Sequence, residues 1–244
     1  MLRHTSRIIL VRHGKASVLS ADYDNLSDTG AEQSRLLGEH WADEGLVIDS
    51  IFVGPRRRHR QTLDAVATVF RARGLSWPEA TELRDLDEHD GLSIVMQAIP
   101  KLAQSDAELR SVAEAMAKGE TPPLAGLLTT FKRVTRMWVR GELSSDGVES
   151  WTAFRARVNR ALQAMASAAT SLGPGKTVAA FTSAGAIAAA VGHVLDVGDE
   201  KVLELSWSLN NGSLSELTIS RERNNLHTFN ATPHLRDPKL VTSV

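Results

Sequence analysis

Arg7-Ile8-Ile9-Leu10-Val11-Arg12-His13-Gly14 is the stretch on which the fold turns. Apolar residues, mostly β-branched, stand between two arginines and run into a His-Gly pair. A short apolar run with polar ends, closed by glycine, reads as a strand buried on both faces, here residues 7–12. Residues 13–28 are polar, carry Gly14, Asp22, Asp24 and Asn25, and read as a loop. Thr29-Gly30-Ala31-Glu32 has a hydroxyl three residues ahead of a carboxylate, a capping box with Thr29 as N-cap. It opens a helix to about residue 44, with Leu36, Leu37 and Trp41 at helical spacing. Residues 49–53 (DSIFV) form a second buried strand, Gly54-Pro55 a turn, and residues 57–73 a second helix. On that helix Leu63, Val66, Val69 and Phe70 share one stripe. Strand, helix, strand, helix is the order of an α/β fold with a mainly parallel sheet.

The rest of the chain extends this order. Residues 92–171 have a helical pattern, broken at Thr121-Pro122-Pro123 and at 141–147, and read as a helical insert within one domain, 1–244. Residues 177–182 (TVAAFT) are a third strand. It leads through Ser183-Ala184-Gly185 into an Ala-rich helix to about 195, packed closely on the sheet. Residues 213–220 and 226–230 read as strands, with 221–225 as the turn between them. The expected architecture is a three-layer α/β/α sandwich.

Composition narrows the function classes. The chain has 244 residues, 42% hydrophobic and 23% charged, which suits a globular core and excludes global disorder. It has no Cys, and therefore no disulfide, thiolate nucleophile or Cys-ligated metal centre. A net charge of −1 from 28 basic and 29 acidic residues argues against nucleic acid as the main partner. No run of about 18 apolar residues exists to span a membrane. Residues 1–7 lead into only four apolar residues, too few for a signal-peptide core, so the expected compartment is the cytoplasm. His40, His89, His193, His227 and His234 lack metal-ligand spacing and read as structural, and no metal or cofactor is expected. Trp138 and Trp151, flanking the 141–147 loop, read as core.

In open parallel sheets, ligands bind beyond the carboxyl ends of the strands. Here those ends carry Arg12-His13-Gly14, Gly54-Pro55 with the run Arg56-Arg57-Arg58-His59-Arg60-Gln61-Thr62, and Thr182-Ser183-Ala184-Gly185. A histidine among arginines beside a helix N-terminus favours an anion, above all a phosphate. Guanidinium neighbours disfavour the protonated form of His13. A neutral imidazole has a free lone pair with which to attack phosphorus. Gly14 leaves the backbone near the ring, where a carbonyl can hold the other ring nitrogen and set the tautomer.

At these residues the chain resembles the histidine phosphatase superfamily, the phosphoglycerate-mutase-like family. Arg12-His13-Gly14 is similar to its hallmark triplet, Leu26-Ser27-x-x-Gly30-x-x-Gln33 to its first helix entry, and the run ending in Gln61-Thr62 to its "S-P-x-x-R-A-x-Q-T" segment. The offset from Gln61-Thr62 makes Arg58 the second phosphate-binding arginine, with Arg56, Arg57 and Arg60 as surface charges. The resemblance also implies an acid in a "Leu-x-Glu" segment. Two registers fit, Leu86-x-Glu88 and Leu83-x-Asp85; Glu88, before a helix ending at Pro100, is preferred and Asp85 is the fallback. Burial is expected to raise the acid's pKa so that it holds a proton. Ser183 stands where most of the family has a second histidine. A hydroxyl there donates one uncharged hydrogen bond, which implies a weaker or retuned pocket.

The implied chemistry is metal-independent hydrolysis of a phosphomonoester through a phosphohistidine at His13. Arg12, Arg58 and Ser183 hold the phosphate, and Glu88 is the acid. The substrate class is a phosphorylated small molecule or phosphoprotein. Two other readings remain: a phospho-ligand-binding protein with weakened chemistry, favoured by Ser183, and mutase-type phosphotransfer. The long Trp-containing segment that mutases carry after Arg-His-Gly is absent, which favours hydrolysis over transfer.

Overall fold

The structure is a computed structural model that describes residues 5–17, 24–118, 124–143, 147–220 and 223–243. The expected break at Thr121-Pro122-Pro123 lies outside the described residues, as do parts of the loops expected at 13–28, 141–147 and 221–225. The chain divides into two compact units, residues 1–88 with 157–244, and residues 89–156.

The first unit holds a six-stranded sheet in the order β3-β2-β4-β1-β5-β6. The strands are β1 Ser6–Arg12, β2 Ser50–Val53, β3 Ala80–Glu82, β4 Thr177–Thr182, β5 Leu214–Ile219 and β6 Asn224–Ala231. β3, β2, β4 and β1 run parallel, while β5 is antiparallel to β1 and β6 to β5. The register places Arg12 beside Thr182 and Val11 beside Phe181, so the carboxyl ends of β1 and β4 are level. The RIILVR run is central because both of its faces are covered: Ile8, Leu10 and Val11 are at most 1% exposed.

One face of the sheet, with Ile9, Val11, Ile51, Val53, Ala179 and Phe181, packs on α1 (Asp28–Asp43) through Leu37 and Trp41 and on α2 (Arg57–Ala72) through Leu63, Val66 and Phe70. Burial of a side chain of this size contributes about 1.5–3 kcal/mol. The other face carries Ser6, Ile8 and Leu10. Ser6 Oγ donates to the carbonyl of Ala169 at 3.4 Å, which ties α6 (Trp151–Ser171) to that face. The Ala-rich α7 (Ala184–Val194) packs on β1 from the same side, with α8 (Asp199–Ser208) against it. Helices on both faces of a mainly parallel sheet make the three-layer α/β/α arrangement.

Several expectations are corrected. The N-cap of α1 is Ser27, not Thr29: Ser27 Oγ accepts from Gly30 N at 3.2 Å, and Glu32 pairs with Arg35 instead of closing a box. β3 was not expected. It is a three-residue edge strand, mostly exposed, too short and polar for a periodic signal. α8 was also not expected, although Asp199 and Glu200 in its first turn suit the helix dipole. β6 begins at Asn224, inside the expected turn, and the helix expected to end at Pro100 runs to Leu102. The residues of α6 from 157 on group with the first unit.

The second unit holds α3 (Gly91–Leu102), α4 (Ala107–Ala117), α5 (Leu124–Val139) and the start of α6. Asp90 caps α3 by accepting from Ser93 N at 3.0 Å. Trp138 and Trp151 are buried and meet edge to face at 5.3 Å, with Phe154 and His89 against them. Both tryptophans are core.

Candidate active site

The site residues sit at the level carboxyl ends of β1, β2 and β4, all in the first unit. His13 follows β1, and its backbone is held on both sides. His13 N donates to Thr182 O at 2.9 Å, and Gly212 N donates to His13 O at 3.1 Å. The ring Nδ1 lies 2.7 Å from the carbonyl of Gly14. A carbonyl only accepts, so Nδ1 carries the proton and Nε2 the lone pair. Arg58 Nε donates into that lone pair at 3.1 Å. Burial first, then Arg12, Arg58 and His59, hold the imidazole well below its ordinary 6.5, against an opposite pull from the Gly14 carbonyl. His13 is therefore neutral at neutral pH.

Arg12 ends β1 on the face of Ile8 and Leu10, is 3% exposed, and donates from Nη1 to the carbonyl of Leu209. Arg58 lies in the first turn of α2 and is also buried. Besides His13, it reaches Asp24 Oδ1 at 2.7 Å and Ser183 Oγ at 3.4 Å. Asp24 also accepts from Arg57 N at 2.9 Å, so one carboxylate caps α2 and aims its arginine. The motif glutamines and threonine hold the surrounding backbone. Thr62 Oγ1 accepts from Gly14 N at 3.1 Å, Gln33 Oε1 from Lys15 N at 2.8 Å, and Gln61 Oε1 from Leu26 N at 2.8 Å.

Glu88 follows a 3-10 turn over Arg84–Leu86 that several residues pin in place. Thr182 Oγ1 donates to Leu86 O at 2.5 Å, Arg157 Nη1 to Asp87 O at 2.7 Å, and Arg56 Nε to Asp87 Oδ1 at 2.5 Å. The carboxylate of Glu88 accepts from Gly185 N at 3.1 Å, at the start of α7 and two residues from Ser183. It is half-buried. The carboxylate of Asp85 points elsewhere, into a bidentate pair with Arg160 at 3.1 and 3.0 Å. Of the two candidate acids, Glu88 bonds to the start of α7, beside Ser183, and Asp85 is held by Arg160. Arg57 and Arg60 are exposed, while Arg56 is half-buried and braces the Glu88 turn through Asp87.

Ser183 is fully buried, and its neighbour is a residue that sequence reasoning missed. His59 Nε2 stands 2.6 Å from Ser183 Oγ, and the His59 ring lies 5.7 Å from that of His13. His59 is 0% exposed. Burial, then Arg58 and Arg56, keep it well below its ordinary pKa, with the Gly54 backbone pulling the other way. A signal did exist. His59 lies four residues before Leu63 and seven before Val66, on the buried stripe of α2, but the surrounding arginines made the run read as surface charge.

Among the described residues, no cluster of three or more His, Asp or Glu is placed to hold a metal ion, and no helix is long and apolar enough to cross a membrane. A cavity of about 750 Å³ lies at the opposite ends of the strands, lined by Arg7, His40, Trp41, Asp49, Lys176 and Glu216 among others, and contains none of the site residues.

Comparison with known proteins shows the family. The family model described as histidine phosphatase superfamily (branch 1) matches residues 8–124 and 125–232, nearly all of the chain. No curated protein sequence matches. Among solved structures, a phosphoglycerate mutase from Bacillus anthracis is similar at TM-score 0.65 and 13% identity, covering 96% of each chain. A phosphoserine phosphatase variant from Entamoeba histolytica, in complex with phosphoserine, is similar at TM-score 0.63 and 15% identity, covering 94% of this chain and 99% of that one. An alpha-ribazole phosphatase from Shigella flexneri is similar at TM-score 0.59 and 17% identity, covering 93% and 96%. At these identities the likeness is one of fold.

Proposed function

Because this chain belongs to the histidine phosphatase superfamily, branch 1, we propose that it hydrolyses a phosphomonoester through a phosphohistidine at His13, without a metal ion. The observation that carries this reading is the state of His13: a buried, neutral imidazole with its proton fixed on Nδ1 by Gly14 and its Nε2 lone pair facing Arg58. That is the state a nitrogen nucleophile needs.

A phosphoryl group entering the site takes the donors of Arg12 and Arg58, which releases Nε2 from Arg58. Nε2 attacks phosphorus, the N–P bond forms, and the bond from phosphorus to the ester oxygen breaks. Glu88 gives its proton to the leaving oxygen. Water then attacks phosphorus while Glu88 takes a proton from it; the N–P bond breaks with its electron pair returning to Nε2, inorganic phosphate leaves and His13 is neutral again. The guanidinium groups stabilise charge on the transferring oxygens, and in phosphoryl transfer such positioning and electrostatics supply most of the catalysis. The solved phosphatases of this fold, one of them bound to phosphoserine, support a phosphorylated small molecule as the substrate class.

The test is turnover of an aryl phosphate in the presence of chelator, with a quench in alkaline denaturant to trap the intermediate. Expected are release of phosphate and an acid-labile, base-stable label on His13, both absent from His13→Ala. Label persisting in His13→Ala overturns the nucleophile assignment. Phosphate binding with no turnover above that variant favours the ligand-binding alternative.

A further inference from the structure

Ser183 is the N-cap of α7, yet its hydroxyl makes no capping bond to that helix. An N-cap serine ordinarily turns its oxygen to the first free N–H groups of its helix. Here Glu88 does that work, accepting from Gly185 N at 3.1 Å. The serine hydroxyl instead turns toward α2, to His59 Nε2 at 2.6 Å and Arg58 Nη2 at 3.4 Å. Ser183 and His59 are both fully buried, and they are 124 residues apart in sequence. A helix cap has been given up for a contact inside the pocket.

We propose that His59 is a positioning residue of the phosphate pocket: it donates from Nε2 to Ser183 Oγ and so turns the serine's own proton toward the bound phosphoryl group. The proposal rests on the phosphohydrolase reading above.

The argument is a count of protons. Arg58 only donates, so its contact fills one lone pair of Ser183 Oγ. The other nitrogen of His59, Nδ1, abuts Gly54 so closely that a methyl group on Gly54 would stand 2.4 Å from it. The Gly54 backbone is the one polar group that draws on this side of the ring, but among the described residues no acceptor is aligned with Nδ1 for a hydrogen bond. A buried N–H without an acceptor is rarer and costlier than a bare ring nitrogen. The tautomer that avoids it carries the proton on Nε2, 2.6 Å from Oγ. Both lone pairs of Oγ are then filled, by Arg58 and His59. The hydroxyl proton is left without an acceptor in this group, free for an oxygen of the ligand that Arg58 and His13 hold. His59 is neutral, so it orients the donor without adding a charge beside the nucleophile.

Inorganic phosphate and orthovanadate are the probes, measured by calorimetry and by inhibition of aryl phosphate turnover on the full chain. His59→Leu and Ser183→Ala are each expected to weaken phosphate binding about 3- to 10-fold, the worth of one hydrogen bond. Because both act through one hydroxyl, the double variant should bind no more weakly than either alone. His59→Gln, whose amide nitrogen reaches toward Oγ, should keep most of the affinity; if His59→Leu does not fold, a His59→Gln chain that binds as weakly as Ser183→Ala overturns the proposal. Ser183→His alone puts a second imidazole where His59 already stands and should bind poorly, and adding His59→Ala should restore it. Wild-type affinity in folded His59→Leu, or losses that multiply in the double variant, overturn the proposal. The hydrolase reading fails separately, when wild type binds phosphate but turns over no ester, and the affinity series then still judges His59. If wild type binds neither probe, the hydroxyl has no phosphoryl group to serve and the proposal falls.

Discussion

A methyl group added to Gly14 would stand 2.3 Å from the carbonyl oxygen of Gly30, and one added to Gly30 would stand 2.2 Å from that of Lys15. The loop that carries His13 and the first turn of α1 are thus in backbone contact. Neither glycine needs an unusual dihedral; each is required because a Cβ has no room. Through this contact α1 fixes the height of the nucleophile above β1, 17 residues away in sequence.

The first prediction follows from that contact. Gly30→Ala must push backbone against backbone and is expected to destabilise by about 1–3 kcal/mol or more, the range for overpacking. Activity should fall further than stability alone explains, because His13 moves. Gly126→Ala is the control: nothing lies within 4 Å of its added Cβ, and it lies inside α5. Alanine there should stabilise by up to about 1 kcal/mol. Thermal melts of both variants and kcat/KM of Gly30→Ala check this; a Gly30→Ala protein as stable as wild type contradicts the close approach.

The acidic limb of the pH profile should lie well below 6.5. Burial and the cations around His13 lower its pKa, and the neutral form is the nucleophile. As pH falls from 7 through 6.5, His13 stays neutral, so kcat/KM should not decline on its account. The check is a pH profile of kcat/KM with a good leaving group. A limb titrating near 6.5 in the wild type that moves to higher pH when Arg58 is replaced by a neutral residue would mean that His13 titrates in its ordinary range despite its burial.

Glu88→Gln should slow hydrolysis of an ester with a poor leaving group by about 10²–10⁴ and affect a good leaving group far less, the signature of a lost general acid. Asp85→Asn should leave that ratio unchanged, since the Asp85 carboxylate is taken by Arg160. Rates on two esters with different leaving groups decide it, and the reverse pattern moves the acid to Asp85.

Stability is expected to fall in acid through a different histidine. His234 is 6% exposed, and burial, then His40, push its pKa down to about 4. An unfolded chain binds a proton there near 6.5 and the folded chain does not, so stability present above pH 6.5 is lost as pH falls toward 4. At about 1.4 kcal/mol per pKa unit, the loss from this residue is on the order of 3 kcal/mol. His234→Phe should be as stable as wild type at pH 7.5 to within about 1.5 kcal/mol, the range for a buried swap of similar size, and should lose less on acidification. Denaturant midpoints at pH 7.5 and 4.5 check this; equal losses in both chains would place the acid sensitivity elsewhere, with His13 and His59 the next buried imidazoles to replace.

Strands and helices with a strong period were legible in the chain alone, and its resemblance to a family pointed to residues that the fold brings together around His13. RIILVR, DSIFV and TVAAFT are strands because apolar runs of that length between polar ends have to be buried on both faces. Arg12 and His13 were legible because they end a buried strand, and Arg58 because the resemblance to the family sets its offset from Gln61-Thr62. Weak periods hid β3 and α8, and local spacing placed the cap of α1 two residues late, since a hydroxyl at 27 and one at 29 look alike until Gly30 N selects Ser27. Only the tertiary structure decided that His59 meets Ser183, that Glu88 rather than Asp85 reaches the start of α7, and that Arg56 braces the Glu88 turn. Those contacts join segments 31 to 124 residues apart. They depend on the parallel register that levels β1 with β4, and on which way each side chain turns where strand ends converge. A run of five basic residues has the same local chemistry whether or not one of its members faces a buried hydroxyl, and the α2 stripe that selects His59 counts only once the helix is packed on the sheet.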